Sequence, residues 1–164
     1  MVQIRRVDAG DETSLAYIQT ESRKAAFYGI ISAERLTEST KMEHAVGMYQ
    51  RLLAAHKGNG YILELDGKPH CIAWWDATRE KDMPGTAELI CIHSLRDNWH
   101  KGYGSRMMER VLADAKSAGY ARIMLWVFDR NVRAIRFYEA HGFAASGRKQ
   151  PAFGAVEEMY IREL

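Results

Sequence analysis

Glu88–Gly104 reads ELICIHSLRDNWHKGYG, and the order of its parts decides how the chain folds. Leu89, Ile90, Cys91 and Ile92 are the centre of a run, Thr86–Leu95, that reads as a strand buried on both faces. Asn98–Gly104, NWHKGYG, is a glycine-bearing loop. Ser105–Ala118 then follows at helical spacing, with Met107, Met108, Val111, Leu112 and Ala115 on one side and Gly119 as the stop. Strand, glycine loop and helix together can bind phosphate. The first N–H groups of a helix have no carbonyl partner, glycine lets the loop come close, and the helix dipole favours an anion. A plain strand–turn–helix has the same outline, so the surroundings must decide.

Toward the C-terminus, Ala121–Phe128 is a second buried strand, and Thr86–Phe128 therefore implies a right-handed parallel crossover. Asn131–Ala140 reads as a short helix stopped by Gly142. Val156–Arg162 is a final strand, with Phe143–Lys149 as a candidate hairpin partner. Toward the N-terminus, Tyr61–Leu65 and Pro69–Thr78 form two strands joined at Asp66-Gly67, a strong hairpin signal, and Arg79–Gly85 is a polar loop. Val2–Val7 opens the chain as a strand. A helix runs from Asp11 or Thr13 to about Tyr28, with Gly29 as its stop. A second covers Ala33–His56, with a candidate break near Glu38–Thr40. These elements predict an α/β (α+β) fold in which helices cover both faces of a mixed sheet, as a single domain over 1–164.

Composition narrows the function classes. The formal charge of +2 is small and the basic residues are scattered, which argues against nucleic acid. No run reaches the roughly 18 apolar residues of a membrane span, and MVQIRRVDAGDE lacks the apolar region of a signal peptide. Cys71 and Cys91 lie in predicted strands without ligand spacing, so they read as buried thiols of a cytoplasmic protein that binds no metal.

Two segments resemble the GNAT superfamily of N-acetyltransferases. Glu88–Gly104 is similar to the family's strand and acetyl-CoA loop. Asn131–Phe143, NVRAIRFYEAHGF, matches N-x-x-A-x-x-F-Y-E-x-x-G-F at Asn131, Ala134, Phe137, Tyr138, Glu139, Gly142 and Phe143. The ending EEMYIREL resembles the family's last strand. The likeness covers Thr86–Leu164 well and is only architectural before that. It implies a mostly antiparallel sheet of six to seven strands, about four helices, and the order β-α-α-β-β-β-α-β-α-β-β. It also implies acetyl-CoA as co-substrate, an amine acceptor, most simply a small molecule, and a homodimer as one arrangement found among relatives. The family loop reads Q/R-x-x-G-x-G/A. Here Gly102 and Gly104 match, but Trp99 stands at the Gln/Arg place. Trp99 either alters the loop's contacts or simply packs over it.

The resemblance assigns roles residue by residue. Trp99, His100, Lys101, Gly102, Tyr103, Gly104 and Ser105 would surround the CoA pyrophosphate. Ile92, His93 and Ser94 would pair with the pantetheine arm, which requires a splay between this strand and Ile123–Phe128. The Ile92 or His93 amide would stabilise the oxyanion. Tyr138 would protonate the departing thiolate as general acid; a core aromatic is the alternative. Asn131 would touch CoA, and as a helix N-cap it has a second, compatible reading.

An alkyl amine has a pKa of about 10.4, so a base must take its proton. Glu88 and His93 are the candidates, beside a salt-bridged Glu, a buried neutral His, or water. Phe27, Tyr28 and Trp74 are candidate acceptor contacts, and adjacent Trp74 and Trp75 must face opposite ways. A CoA-binding sensor that does not turn over and acetylation of a peptide or protein amine remain alternatives. A dinucleotide-binding domain does not fit, since the loop lacks the third glycine and does not follow the first strand.

Overall fold

Asp66 and Gly67 both take positive φ, 50° and 78°. They close a tight hairpin between β2 (Asn59–Leu65) and β3 (Lys68–Ala77). The computed structural model describes all residues, 1–164. β1 (Val2–Arg6) runs antiparallel along β2, and β4 (Thr86–Ser94) antiparallel along β3. α4 (Tyr103–Ser117) returns the chain to β5 (Arg122–Phe128), which lies parallel to β4 as the crossover requires. After α5 (Val132–Ala140), β6 (Ala144–Ala152) and β7 (Ala155–Glu163) form a hairpin across Phe153-Gly154, again with positive φ at both, 52° and 76°. The sheet order is β1-β2-β3-β4-β5-β7-β6, and every pair except β4–β5 is antiparallel. The seven strands and their mostly antiparallel pairing agree with the expected fold.

Two boundaries differ from the sequence reading, and one candidate break is present. The first helix, α1 (Glu12–Ala26), stops two residues before Tyr28, because Phe27 closes its last turn and Gly29 reverses the chain at φ 77°. The candidate break near Glu38–Thr40 is present: the second helical stretch is two helices, α2 (Ala33–Ser39) and α3 (Met42–Ala54), which brings the helices to five. Thr40 separates them: its hydroxyl donates to the Leu36 carbonyl at 2.6 Å, and Lys41 is extended. β6 reaches Ala152, beyond the expected Lys149; Pro151 is tolerated because β6 is an edge strand.

Both faces of the sheet are covered. Met107, Met108, Val111 and Ala115 of α4 pack on Tyr61, Leu63, Ala73 and Trp75. On the other face Leu15, Ile18, Ala45 and Tyr49 of α1 and α3 pack on Ile62, Ile72 and Trp74. Trp75 Nε1 donates to the Tyr61 hydroxyl at 3.0 Å, which donates to Asp114 at 2.7 Å, so the buried polar atoms of the first face are paired. Trp74 lies against Tyr49 with centroids 5.7 Å apart and covers Gly60. A Cβ on Gly60 would enter the Trp74 ring and come within 2.7 Å of Val7 Cγ2. Gly60→Ala should therefore destabilise the fold by about 1–3 kcal/mol through overpacking, read from the urea midpoint. An unchanged midpoint would contradict this packing.

Candidate functional site

The centre of β4 is not a regular strand. Trp74 faces Cys91 and Trp75 faces Leu89, so Ile90 is an extra residue without a partner on β3. That is a β-bulge, which bends a strand and increases its twist. Ile90 is accordingly 42% exposed, where the apolar run predicted burial on both faces. β4 pairs with β5 only at Thr86–Glu88 with Arg122–Met124. β5 stays paired with β7 along its whole length, to Phe128. The strands therefore part where β4 bulges, and one edge of Leu89–Ser94 is released. The splay required of Ile92, His93 and Ser94 is present.

Two clefts meet at this opening. The first, about 810 Å³, reaches from Ile92 and Ser94 to the loop and the start of α4. The second, about 600 Å³, lies between β4, β5 and the end of α1. Ala26, Ile92, His93, Arg133, Ala134 and Tyr138 border both, so the clefts share a seam beneath α5.

At the far end of the first cleft, Leu95–Trp99 makes one tight turn, and His100 and Gly102 take φ 62° and 82°. Gly102 precedes α4 without any side-chain cap, and the helix ladder opens with Arg106 N–H to the Gly102 carbonyl at 3.2 Å. The N–H groups of Tyr103, Gly104 and Ser105 thus have no carbonyl partner within the helix. Gly104 lets α4 approach α5: a Cβ there would lie 3.3 Å from the Phe137 ring. His100, Gly102, Gly104 and Ser105 line the cleft. Lys101 is exposed outside it, and Tyr103 instead stacks on His70.

Trp99 ties the loop down. Its Nε1 donates to the Ser94 carbonyl at 2.9 Å, and the Arg133 guanidinium lies 3.5 Å from its ring centroid. A cation held over an aromatic face is attracted by the ring quadrupole. The indole thus joins the end of β4, the loop and α5, which is the packing alternative for this position. Ser22 Oγ of α1 donates to the same Ser94 carbonyl at 3.0 Å.

The remaining candidates divide between the seam, the second cleft and the core. Tyr138 stands at the seam, where burial pushes its phenol well above the ordinary value; Cys91 adds to this and Arg133 opposes it. The hydroxyl therefore keeps its proton at neutral pH. Asn131 caps α5 through Ala134 N–H at 3.4 Å and borders the second cleft. His93 Nε2 is buried without a partner. Burial, with Arg23 and Arg133 nearby, pushes this imidazole down to about 3, so the ring is neutral. Glu88 is only 2% exposed, and its carboxylate accepts from Arg79 Nε at 3.2 Å and Arg79 N–H at 3.1 Å, with Nη2 also in contact. Phe27 lines the second cleft, edge-on to Phe128 at 5.0 Å. Tyr28 is not brought to the site: two residues past the end of α1 it turns outward and is 84% exposed. Trp74 is also elsewhere, packed in the core under α1 and α3.

Four residues enter that the sequence reading had not singled out for the site: Ser22, Arg23, Arg79 and Arg133. Arg133 lies inside the N-x-x-A segment and had a signal. The others come from a helix and a loop whose polar residues looked solvated.

The chain matches a family model described as "Acetyltransferase (GNAT) family" over residues 24–143. Uncharacterized N-acetyltransferases of Mycobacterium bovis and Mycobacterium tuberculosis are 35% identical over 80 residues, covering 47% of this chain and 51% of each relative. The chain spans about half the length of the curated relatives it matches. The fold is similar to that of the PaiA N-acetyltransferase of Thermoplasma acidophilum in complex with coenzyme A: TM-score 0.78, 18% identity, 100% of this chain and 99% of that one. It is also similar to YncA of Salmonella typhimurium with acetyl-CoA: TM-score 0.76, 17% identity, 99% and 94% coverage.

The depressed His93 has a consequence for acid stability. Its folded value, about 3, lies below the ordinary 6.5. As pH falls through that window the unfolded chain takes up a proton that the folded chain refuses, so stability is lost. Ring nitrogen NMR shifts should show His93 neutral from pH 8 to 5, and His93→Gln should flatten the loss of stability on acidification. Titration of His93 near pH 6.5 would contradict this.

Proposed function

The chain belongs to the GNAT acetyltransferase family, and from that membership and the geometry of the seam we propose that it transfers acetyl from acetyl-CoA to a primary amine of a small molecule. The observation that carries the reading is the parting of β4 from β5, which opens from an uncapped helix start at one end to Tyr138 in the middle. Tyr103, Gly104 and Ser105 hold the pyrophosphate by backbone N–H groups, with His100 beside them. The released edge of Ile92–Ser94 pairs with the amides of the pantetheine arm. A thioester so placed reaches the seam, and the second cleft brings the amine to its open side.

The amine nitrogen attacks the thioester carbon. The Ile92 or His93 N–H stabilises the oxygen that gains charge. As the C–S bond breaks, Tyr138 donates its proton to sulfur, and the phenolate regains one from the nitrogen. The raised Tyr138 value suits an acid that must stay protonated until the thiolate forms. The ammonium must first lose a proton. Glu88, ion-paired with Arg79, or water relays it; the weakly basic His93 serves less well.

Free thiol should appear from acetyl-CoA only when a suitable amine is added, as measured with a thiol reagent across an amine panel. Acetyl-CoA binding without acceptor-dependent release would leave a binding protein and sink the transferase reading. Tyr138→Phe should lower kcat by about 10²-fold or more, while the Kd for acetyl-CoA stays within a factor of a few. Unchanged kcat would remove Tyr138 from the mechanism.

A further inference from the structure

The second cleft holds two arginines that its own carboxylates leave unpaired. Arg23, Arg79 and Arg133 line it, opposite Glu80, Glu88 and Glu157. Arg79 is paired with Glu88, and Glu80 with Arg148 at 2.6 Å. Glu157 accepts from Gln150 at 2.7 Å. Neither Arg23 nor Arg133 has a carboxylate within 4.0 Å. Arg133 is stacked on Trp99 and also borders the first cleft. Arg23 borders only the second.

Arg23 is fixed at one end only. Nη1 touches the Ser39 carbonyl at 3.5 Å, at the limit of a hydrogen bond. Nε is buried with no partner, and Nη2 on the same edge makes no hydrogen bond within the protein. A buried unpaired donor is costly, more so when charged. The Nε–Nη2 edge presents two parallel N–H groups, which match the two oxygens of a carboxylate. Ala26, one helical turn along α1, borders the seam, so the Arg23 end of the second cleft adjoins it. Phe27, Ile31, Phe128 and Phe153 form an apolar wall beside it.

We propose that the acceptor carries a carboxylate next to its amine, as an α-amino acid with an apolar side chain does, and that Arg23 receives it. This names the acceptor class of the acetyl transfer proposed above and rests on that reading. Arg23 is then a specificity residue: it holds the anionic end while the apolar wall holds the side chain and the amine points to the seam.

The test uses the full chain saturated with CoA, and the twenty α-amino acids each paired with its α-carboxamide. Calorimetry should find an apolar acid that binds at least about tenfold more tightly than its carboxamide. Arg23→Gln should abolish that preference at an unchanged thermal midpoint, and Arg23→Lys should keep only part of it. No acid preferred over its carboxamide, or a preference that survives Arg23→Gln, would overturn the proposal. Thiol release on the same pairs separates the two claims. Release without acid preference overturns the proposal and leaves acetyl transfer standing. Arg23-dependent acid binding without any release supports the anionic subsite and overturns acetyl transfer.

Discussion

β4 can remain hydrogen-bonded to β5 only while it stays in the plane of the sheet. Ile90 ends that. By adding one residue opposite the Trp74/Trp75 step, it turns β4 out of register after Leu89, and the parallel pairing stops at Glu88. The edge groups of Leu89–Ser94 then face an opening rather than a neighbouring strand, a position that stays satisfied only if water or a ligand meets it. The loop that follows must turn sharply, and His100 and Gly102 take left-handed backbone to do so. α4 therefore starts with its free N–H groups at the mouth of the same opening, and α5 closes it from above with Tyr138. The sheet defect, the uncapped start of α4 and Tyr138 meet at this one bend.

The bend is braced from both sides. The Ser94 carbonyl accepts from Ser22 of α1 and from Trp99 of the loop, which fixes the end of the bent strand. Trp99 in turn carries Arg133, so the place the family gives to Gln or Arg is filled by a residue that recruits an arginine from α5. This arrangement brings positive charge to the seam without a basic side chain in the loop at that place. It also adds to the burial that holds His93 neutral.

Much of this was legible before the fold was seen, for reasons specific to the residues. Gly102 and Asp66-Gly67 carry conformational demands that few other residues meet, so they marked turns correctly. Ala134, Phe137 and Tyr138 lie on one short helix capped by Asn131, where three- and four-residue spacing alone places Ala134 beside both aromatics. The bulge was hidden because Leu89–Ile92 is apolar throughout, and a one-residue slip in such a run leaves no change of polarity to read. Trp74 was misjudged for a related reason: both sheet faces are covered, so alternation could not tell a cleft from a core. The second cleft is assembled from α1, the Arg79 loop, β4, β5 and the β6–β7 hairpin, and only tertiary contact joins them. Arg79 and Glu88 are nine residues apart and meet because the chain doubles back between β3 and β4.

The central claim is that the parting of β4 and β5 is the acetyl-CoA site. The most direct measurement is a crystal structure with coenzyme A bound. The pyrophosphate should lie on the N–H groups of Tyr103–Ser105, with the pantetheine arm against Ile92–Ser94 and the two strands still apart beyond Glu88. Coenzyme A bound elsewhere, or β4 and β5 paired through Ser94, would contradict it.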